Sequence, residues 1–244
     1  MVRIVPFKAY RPPLELTEEV AAPAEDVVDS VEARHLAGDN EKSFLHVNKP
    51  HIDLPEELSE YDIQVYERGR ENLNKLIDEG WLVQDDVPCY YIYAQTMGDH
   101  TQYGVCCGVH IEDYANGLIK RHEKTMVVKE NDLTRLMYTQ NANVGPVFLM
   151  HRDSPAVAAA VRAVVEAPRP PDAHVLAPDG VRHTVWVVRD PQAAFDLRRA
   201  FRAVPCCYIA DGHHRSAAAF RVGEMRIKEA VARGETISGA EGGP

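Results

Sequence analysis

One stretch of the chain concentrates reactive side chains: Tyr208-Ile209-Ala210-Asp211-Gly212-His213-His214-Arg215-Ser216-Ala217. An apolar run of strand character leads into Asp-Gly, and a helix of small residues follows at once. The first N–H groups of a helix have no partner within it and carry a partial positive charge, so such a turn receives anions. Gly212 lets the backbone approach a ligand closely. His213, His214 and Arg215 add side chains for phosphate oxygens, Arg215 through two parallel hydrogen bonds. Asp211 is placed to orient a histidine or to hold Mg²⁺. A helix-capping aspartate would explain one of these residues. It does not explain two histidines and an arginine in succession behind an apolar strand.

A second cluster is Lys120-Arg121-His122-Glu123-Lys124-Thr125, followed by Lys129, Asp132 and Arg135. Glu123, set among cations, is the candidate base for an attacking hydroxyl, with His122, Lys124 and Arg135 as secondary candidates. Charge runs are usually solvated loops, so this role requires Glu123 to lie within reach of the phosphate turn. The paired cysteines Cys106-Cys107 and Cys206-Cys207 suggest a zinc site only superficially. Strand neighbours point to opposite faces, so each pair offers one ligand to a single metal, and small buried residues are the better reading. Trp81 and Trp186 read as packing residues, and His151, His174 and His183 are isolated. Walker-type loops, dinucleotide fingerprints and nucleophile-elbow serines are absent from the sequence.

The elements that must position these groups follow from periodicity and punctuation. A first strand is expected over residues 3–10, a helix over 24–37 closed by Gly38, and a short strand at Ser43–Val47. Apolar spacing predicts a helix over 61–79, stopped by Gly80. Two β-prone runs, 89–96 and 102–110, make an antiparallel hairpin around Gly98-Asp99-His100. A helix over 132–139, a strand over 147–150 and a helix over 155–167 come next. A second hairpin, 174–176 with 181–188, turns at Pro178-Asp179-Gly180. A helix over 191–203, a strand over 206–210 and a helix over 216–232 complete the pattern. Hairpins with interspersed helices and no regular βαβ alternation define an α+β fold with a mixed sheet.

The chain has 244 residues and a formal net charge of −10. Residues 1–100 hold 9 basic and 21 acidic side chains, against 18 and 16 in the remainder. That balance opposes general nucleic-acid binding and puts an anion site in the later part. No apolar run is long enough to span a bilayer, and no signal peptide is evident at the N-terminus. Five cysteines, an odd number, fit reduced thiols and a cytoplasmic protein. A single domain over 1–235, divisible at 150, with a frayed tail at 236–244, is the expected organisation; a homo-oligomer is compatible with it.

These residues resemble a widespread prokaryotic family known as domain of unknown function 1015. The resemblance starts at Ile4-Val5-Pro6-Phe7-Lys8-Ala9. It runs through Ser43–Val47, Ile52-Asp53-Leu54-Pro55, Leu76–Gly80, Arg121–Thr125, Thr139–Asn143 and Gly180–His183 to Asp211-Gly212-His213-His214-Arg215. Over some ten residues around Asp211-Gly212-His213-His214-Arg215 the chain also resembles the superfamily of sulfiredoxins, the partitioning protein ParB and free-serine kinases. There the equivalent strand-to-helix turn binds nucleotide phosphates, which implies that task for Gly212, His213, His214 and Arg215. Family members often lie near serine-biosynthesis genes, which implies a link to serine or phosphoserine. Two departures stand out. The family's Pro-Pro-Tyr-Asp-Val segment reads Ala22-Pro23-Ala24-Glu25-Asp26-Val27 here, and relatives continue well beyond the helix that ends this chain, so a shortened copy is expected.

The expected function is nucleotide-dependent phosphoryl transfer, from ATP or ADP with Mg²⁺, to a small hydroxyl compound such as free serine. Arg215, His213 and His214 would hold phosphate, Asp211 would position a histidine or Mg²⁺, and Glu123 would activate the hydroxyl. The alternatives are a non-catalytic sensor of a nucleotide or phosphorylated metabolite and, less favoured by the charge, a DNA-binding protein.

Overall fold

The computed structural model describes residues 1–235; the tail expected to fray at 236–244 lies outside the described residues. Two short strands, β1 (Ile4–Val5) and β2 (Tyr10–Arg11), replace the single strand expected over 3–10. Pro6 has no N–H for a ladder, and Phe7 makes only an isolated bridge to Cys89. After the one-turn α1 (Thr17–Val20), residues 21–29 run as loop and turn, and the helix expected from residue 24 begins only at α2 (Ser30–Ala37). Asp29 sets that start by accepting a hydrogen bond from the Glu32 N–H. Where a strand was expected at Ser43–Val47, the chain forms a single helical turn, α3 (Leu45–Asn48). His46 holds the turn closed, with Nδ1 on Asp53 at 2.7 Å and Nε2 on the Asn40 carbonyl at 3.2 Å. A five-residue apolar run cannot by itself distinguish these two outcomes.

The long helix α4 (Ile63–Asp78) follows its predicted periodicity, and β3 (Val83–Gln84) then pairs with β2. The predicted hairpin is β4 (Tyr90–Met97) with β5 (His100–Cys106), closed by the Met97–His100 pair. Next come β6 (Gly108–Val109), which pairs with β1, then α5 (Ile111–Ala115), β7 (Ile119–Lys120), α6 (Val127–Gln140) and β8 (Phe148–Met150). The remaining elements are α7 (Pro155–Val165), β9 (Ala173–Leu176), β10 (Arg182–Val188), α8 (Pro191–Phe201), β11 (Cys207–Asp211) and α9 (His213–Ala232). The fold is α+β, and both hairpins are present.

Two sheets organise the molecule. The larger is antiparallel, in the order β5-β4-β10-β9. Alternation along β4 sends Tyr90 and Ile92 to one face, against Val157, Val161, Leu197 and Phe201 of α7 and α8. Cys89 and Tyr91 go to the other face with Val187. The same alternation separates the cysteines: Cys107 and Cys207 join the first cluster and Cys106 the second. Burial pushes the Cys106 and Cys207 thiols up to about 11, and Cys107 to about 12. They are protonated at neutral pH, and among the described residues no cysteine belongs to a group with metal-ligand spacing. No described helix is long and apolar enough to cross a membrane.

The smaller sheet has the order β7-β11-β8, with β11 parallel to β7 and antiparallel to β8. Beside it, α6 packs between α4 and α9. Ala217 and Ala218 are buried, and a Cβ on Gly223 would sit 2.9 Å from Ile111 Cδ1. Small residues thus bring α9 close to β11, where Ala217 packs with Ile209, and to α5, where Gly223 meets Ile111.

The His46–Asp53 pair carries a pH signature. The Asp53 hydrogen bond raises the His46 pKa; burial alone would raise Asp53, but the hydrogen bonds from His46 and Asn72 outweigh it and hold Asp53 low. The histidine term therefore stabilises below the ordinary imidazole value and disappears as pH rises through its raised value. The aspartate term is present above the ordinary carboxylate value and disappears as pH falls. Both act together between roughly pH 4 and 6.5. Thermal unfolding of Asp53→Asn against pH should lack the loss that wild type shows above that window; parallel curves for the two proteins would contradict the assignment.

Candidate functional site

The parallel pairing of β7 with β11 builds the site. Registers Cys207–Ile119 and Tyr208–Lys120 place the C-terminal ends of both strands at one edge. The Arg121–Met126 loop and the Asp211–Arg215 turn therefore meet there, the position at which ligands bind beside parallel strands. A bulge between Ile209 and Asp211 bends the end of β11 toward the turn. Gly212 then takes φ +93°, a left-handed conformation that begins α9 at once, three residues earlier than the sequence suggested. The first-turn amides of His213, His214 and Arg215 remain outside the helical ladder, which opens with Ser216 N–H to the Gly212 carbonyl.

The three side chains after Gly212 have three different fates. His213 is buried and packs edge-on against His122, ring centroids 4.4 Å apart. The His122 backbone N–H donates to His213 Nε2 at 3.4 Å, which assigns the ring proton to Nδ1. That nitrogen lies 3.8 Å from Glu123 Oε1, an ion-pair distance rather than a hydrogen bond. His214 Nε2 accepts the Met126 N–H at 2.9 Å, and Met126 is the residue that opens α6. One nitrogen of His214 thus fastens the second loop instead of facing a ligand.

Arg215 is the most constrained of the three, its side chain only 12% exposed. Its Nη1 donates to the Pro146 carbonyl, and its Nη2 to Asp211 Oδ2 and to Asp26 Oδ2 at 3.2 Å. The side chain lies across two glycines. A Cβ on Gly145 would meet Arg215 Cδ at 3.1 Å, and one on Gly212 would meet Nε at 3.2 Å. The guanidinium is therefore a structural cross-link as it stands, with its donors on two carboxylates and a carbonyl.

Of the sequence candidates, Glu123, His122, Gly212, His213, His214, Arg215 and Asp211 share this edge. Arg121 is there too, stacked on the Tyr114 ring at 4.8 Å. Lys124 is exposed on the loop. Arg135 is not part of the edge: it lies on α6 about 13 Å along the axis from Met126, beside Tyr66 and Asp132. Sequence reading missed Asp26 and Gly145. Asp26 lay inside the 22–27 segment singled out in the sequence, but nothing there pointed to Arg215.

Arg215 Nη2 occupies Asp211 Oδ2, and Asp211 belongs to no group of three metal-ligand side chains among the described residues. One group among the described residues has metal-ligand spacing: His122, Glu123 and His213, with ligand atoms within 4.8 Å of one another. Two imidazoles and one carboxylate suit a transition metal better than Mg²⁺. A metal on His213 Nδ1 would have to move the ring proton to Nε2 and break the bond from the His122 amide. The observed arrangement instead opposes a proton on Nδ1 to the Glu123 carboxylate.

The family described as Protein of unknown function (DUF1015) matches residues 4–239, and the chain belongs to that family. Comparison with curated proteins and with solved structures gave no match.

Gly212→Ala combines a disfavoured φ with a close approach to Arg215. It should lower unfolding free energy by about 1–3 kcal/mol, read from denaturant unfolding. A neutral substitution would mean that the turn readily adopts another conformation.

Proposed function

We propose that the Gly212 turn binds the phosphates of ATP or ADP and that the chain transfers a phosphoryl group to a small hydroxyl compound such as free serine. One observation carries the reading: the Glu123 carboxylate, half exposed, faces His213 Nδ1 at the positive end of α9. Phosphate oxygens would take the free first-turn amides, which are fixed in place before the ligand arrives. They would compete with Asp26 and Asp211 for Arg215. Glu123 would accept the proton of the attacking hydroxyl, with the Nδ1–H of His213 facing that carboxylate. Mg²⁺, arriving with the nucleotide, would neutralise charge on the transferring group.

A second reading is favoured by the state of Arg215. With its guanidinium bound to two aspartates, the turn has no free arginine for the transferred group, which suits a protein that senses a nucleotide without turnover.

Incubation with ATP or ADP, Mg²⁺ and serine separates the two. Transfer predicts phosphoserine from wild type and a loss of about 10²–10⁴-fold in Glu123→Gln, with nucleotide-induced thermal stabilisation retained in the variant. Stabilisation by nucleotide with no product from wild type supports the sensor. Absence of both overturns both readings.

A further inference from the structure

His122, Glu123 and His213 bring one ligand atom each to within 4.8 Å of the others, at the edge where β7 and β11 end. His122 and Glu123 are sequence neighbours, and in a strand their side chains would diverge. Here the chain bends at Glu123, and both side chains meet the ring that opens α9. The His122 and His213 rings stand edge to face at 4.4 Å, and His213 Nδ1 lies 3.8 Å from Glu123 Oε1.

That last separation is too long for a hydrogen bond and close to what a shared metal requires. At Zn–N and Zn–O distances of about 2.0–2.2 Å, two ligand atoms of a tetrahedral site lie about 3.3–3.6 Å apart. A small movement of one side chain closes the difference. His213 is the fixed ligand, its side chain 5% exposed at the first position of a 20-residue helix. Glu123 is half exposed and His122 exposed, so an ion can reach them from solvent. Among the described residues neither the Glu123 carboxylate nor the His122 ring is taken up by a hydrogen bond, so coordination displaces no partner from either. The one contact given up is the His122 N–H on His213 Nε2, at 3.4 Å already longer than an ordinary hydrogen bond. The neighbouring arginines are committed elsewhere, Arg121 to the Tyr114 ring and Arg215 to Asp26 and Asp211. The positive end of α9 opposes a cation, which sets the affinity below that of a closed four-ligand site.

We propose that His122, Glu123 and His213 bind Zn²⁺ through three protein ligands, leaving a fourth position to water. Two imidazoles and a carboxylate are a donor set that zinc accepts and Mg²⁺, which takes oxygen ligands, does not. Binding moves the His213 ring proton from Nδ1 to Nε2, so the metal and the proton facing Glu123 replace one another. The assignment needs no nucleotide and does not rest on phosphoryl transfer. Where transfer occurs, zinc on Glu123 takes away its base, and the metal-bound and transferring states exclude each other.

The test titrates the full chain, freed of metal and without nucleotide, with Zn²⁺ against a chromophoric chelator. A single equivalent should bind, and excess Mg²⁺ should not displace it. Long-range proton–nitrogen NMR spectra of the imidazoles should show His213 pass from Nδ1–H to Nε2–H as the metal enters. His122→Ala and Glu123→Gln, both at exposed positions, should each weaken Zn²⁺ by at least about tenfold, the low end of what a metal site loses with even an outer partner. His174→Ala, at an isolated exposed histidine, should bind as wild type does. Absence of bound zinc, ready displacement by Mg²⁺, an unchanged His213 tautomer or wild-type affinity in both site variants would overturn the assignment. Phosphoserine formation, measured separately without zinc, judges the phosphotransferase reading, so either can fail while the other stands.

Discussion

The guanidinium of Arg215 is the contact on which the candidate site depends. It joins the end of β11 through Asp211, the first loop of the chain through Asp26 and the 145–146 segment through Pro146. Those partners are far apart in sequence, Asp26 by 189 positions. A single planar group with several fixed donors can satisfy all of them at once, which a lysine ammonium cannot do with the same geometry. The glycines at 145 and 212 are the other half of the arrangement. Each lacks the Cβ that would otherwise push the arginine away from the backbone. The left-handed turn, the two glycines and the ion pairs are therefore one structural unit.

That unit changes the charge logic of the turn. A helix N-terminus alone would be positive, and Arg215 was expected to add to it. Instead, two aspartates share the arginine, so the net side-chain charge beside the first-turn amides is close to −1. Any attraction for an anion there comes from the oriented N–H groups and not from net charge. The attraction is short-ranged and directional, which favours a phosphate seated against the backbone over loose association with any polyanion. The acidic first hundred residues, read at first only as an obstacle to nucleic acid, supply one of the two aspartates directly.

Much of the fold was legible because local pattern and tertiary environment agree. The 90–97 and 100–106 strands are β-prone runs around Gly98-Asp99, and the 63–78 helix keeps a clean apolar spacing between Asp62 and Gly80. The Asp-Gly-His-His-Arg turn was legible as a turn with a helix behind it. Side-chain destinations were not. Nothing in the order His213-His214-Arg215 says that the first is buried against His122, the second caps another loop and the third bridges two acids. Those outcomes depend on β7 lying parallel to β11, a pairing of two residues on each side that leaves almost no periodic trace. The Ser43–Val47 error has the same origin: the side-chain bonds of His46, not the hydrophobic pattern, decide between strand and helical turn.

The first loop is where these threads meet. Glu25 and Asp26 are neighbours, yet Glu25 lines a cavity with Lys49 and Asp132, and Asp26 meets the Arg215 guanidinium at the Gly212 turn. They are the central residues of a tight turn closed by the Val27 N–H on the Ala24 carbonyl, and their side chains leave it toward different neighbours. A loop of this kind therefore borders two environments of opposite electrostatic demand without any further device. Glu25 therefore sets the charge on the cavity wall while Asp26 holds Arg215, and the two roles fall on different sides of one short turn.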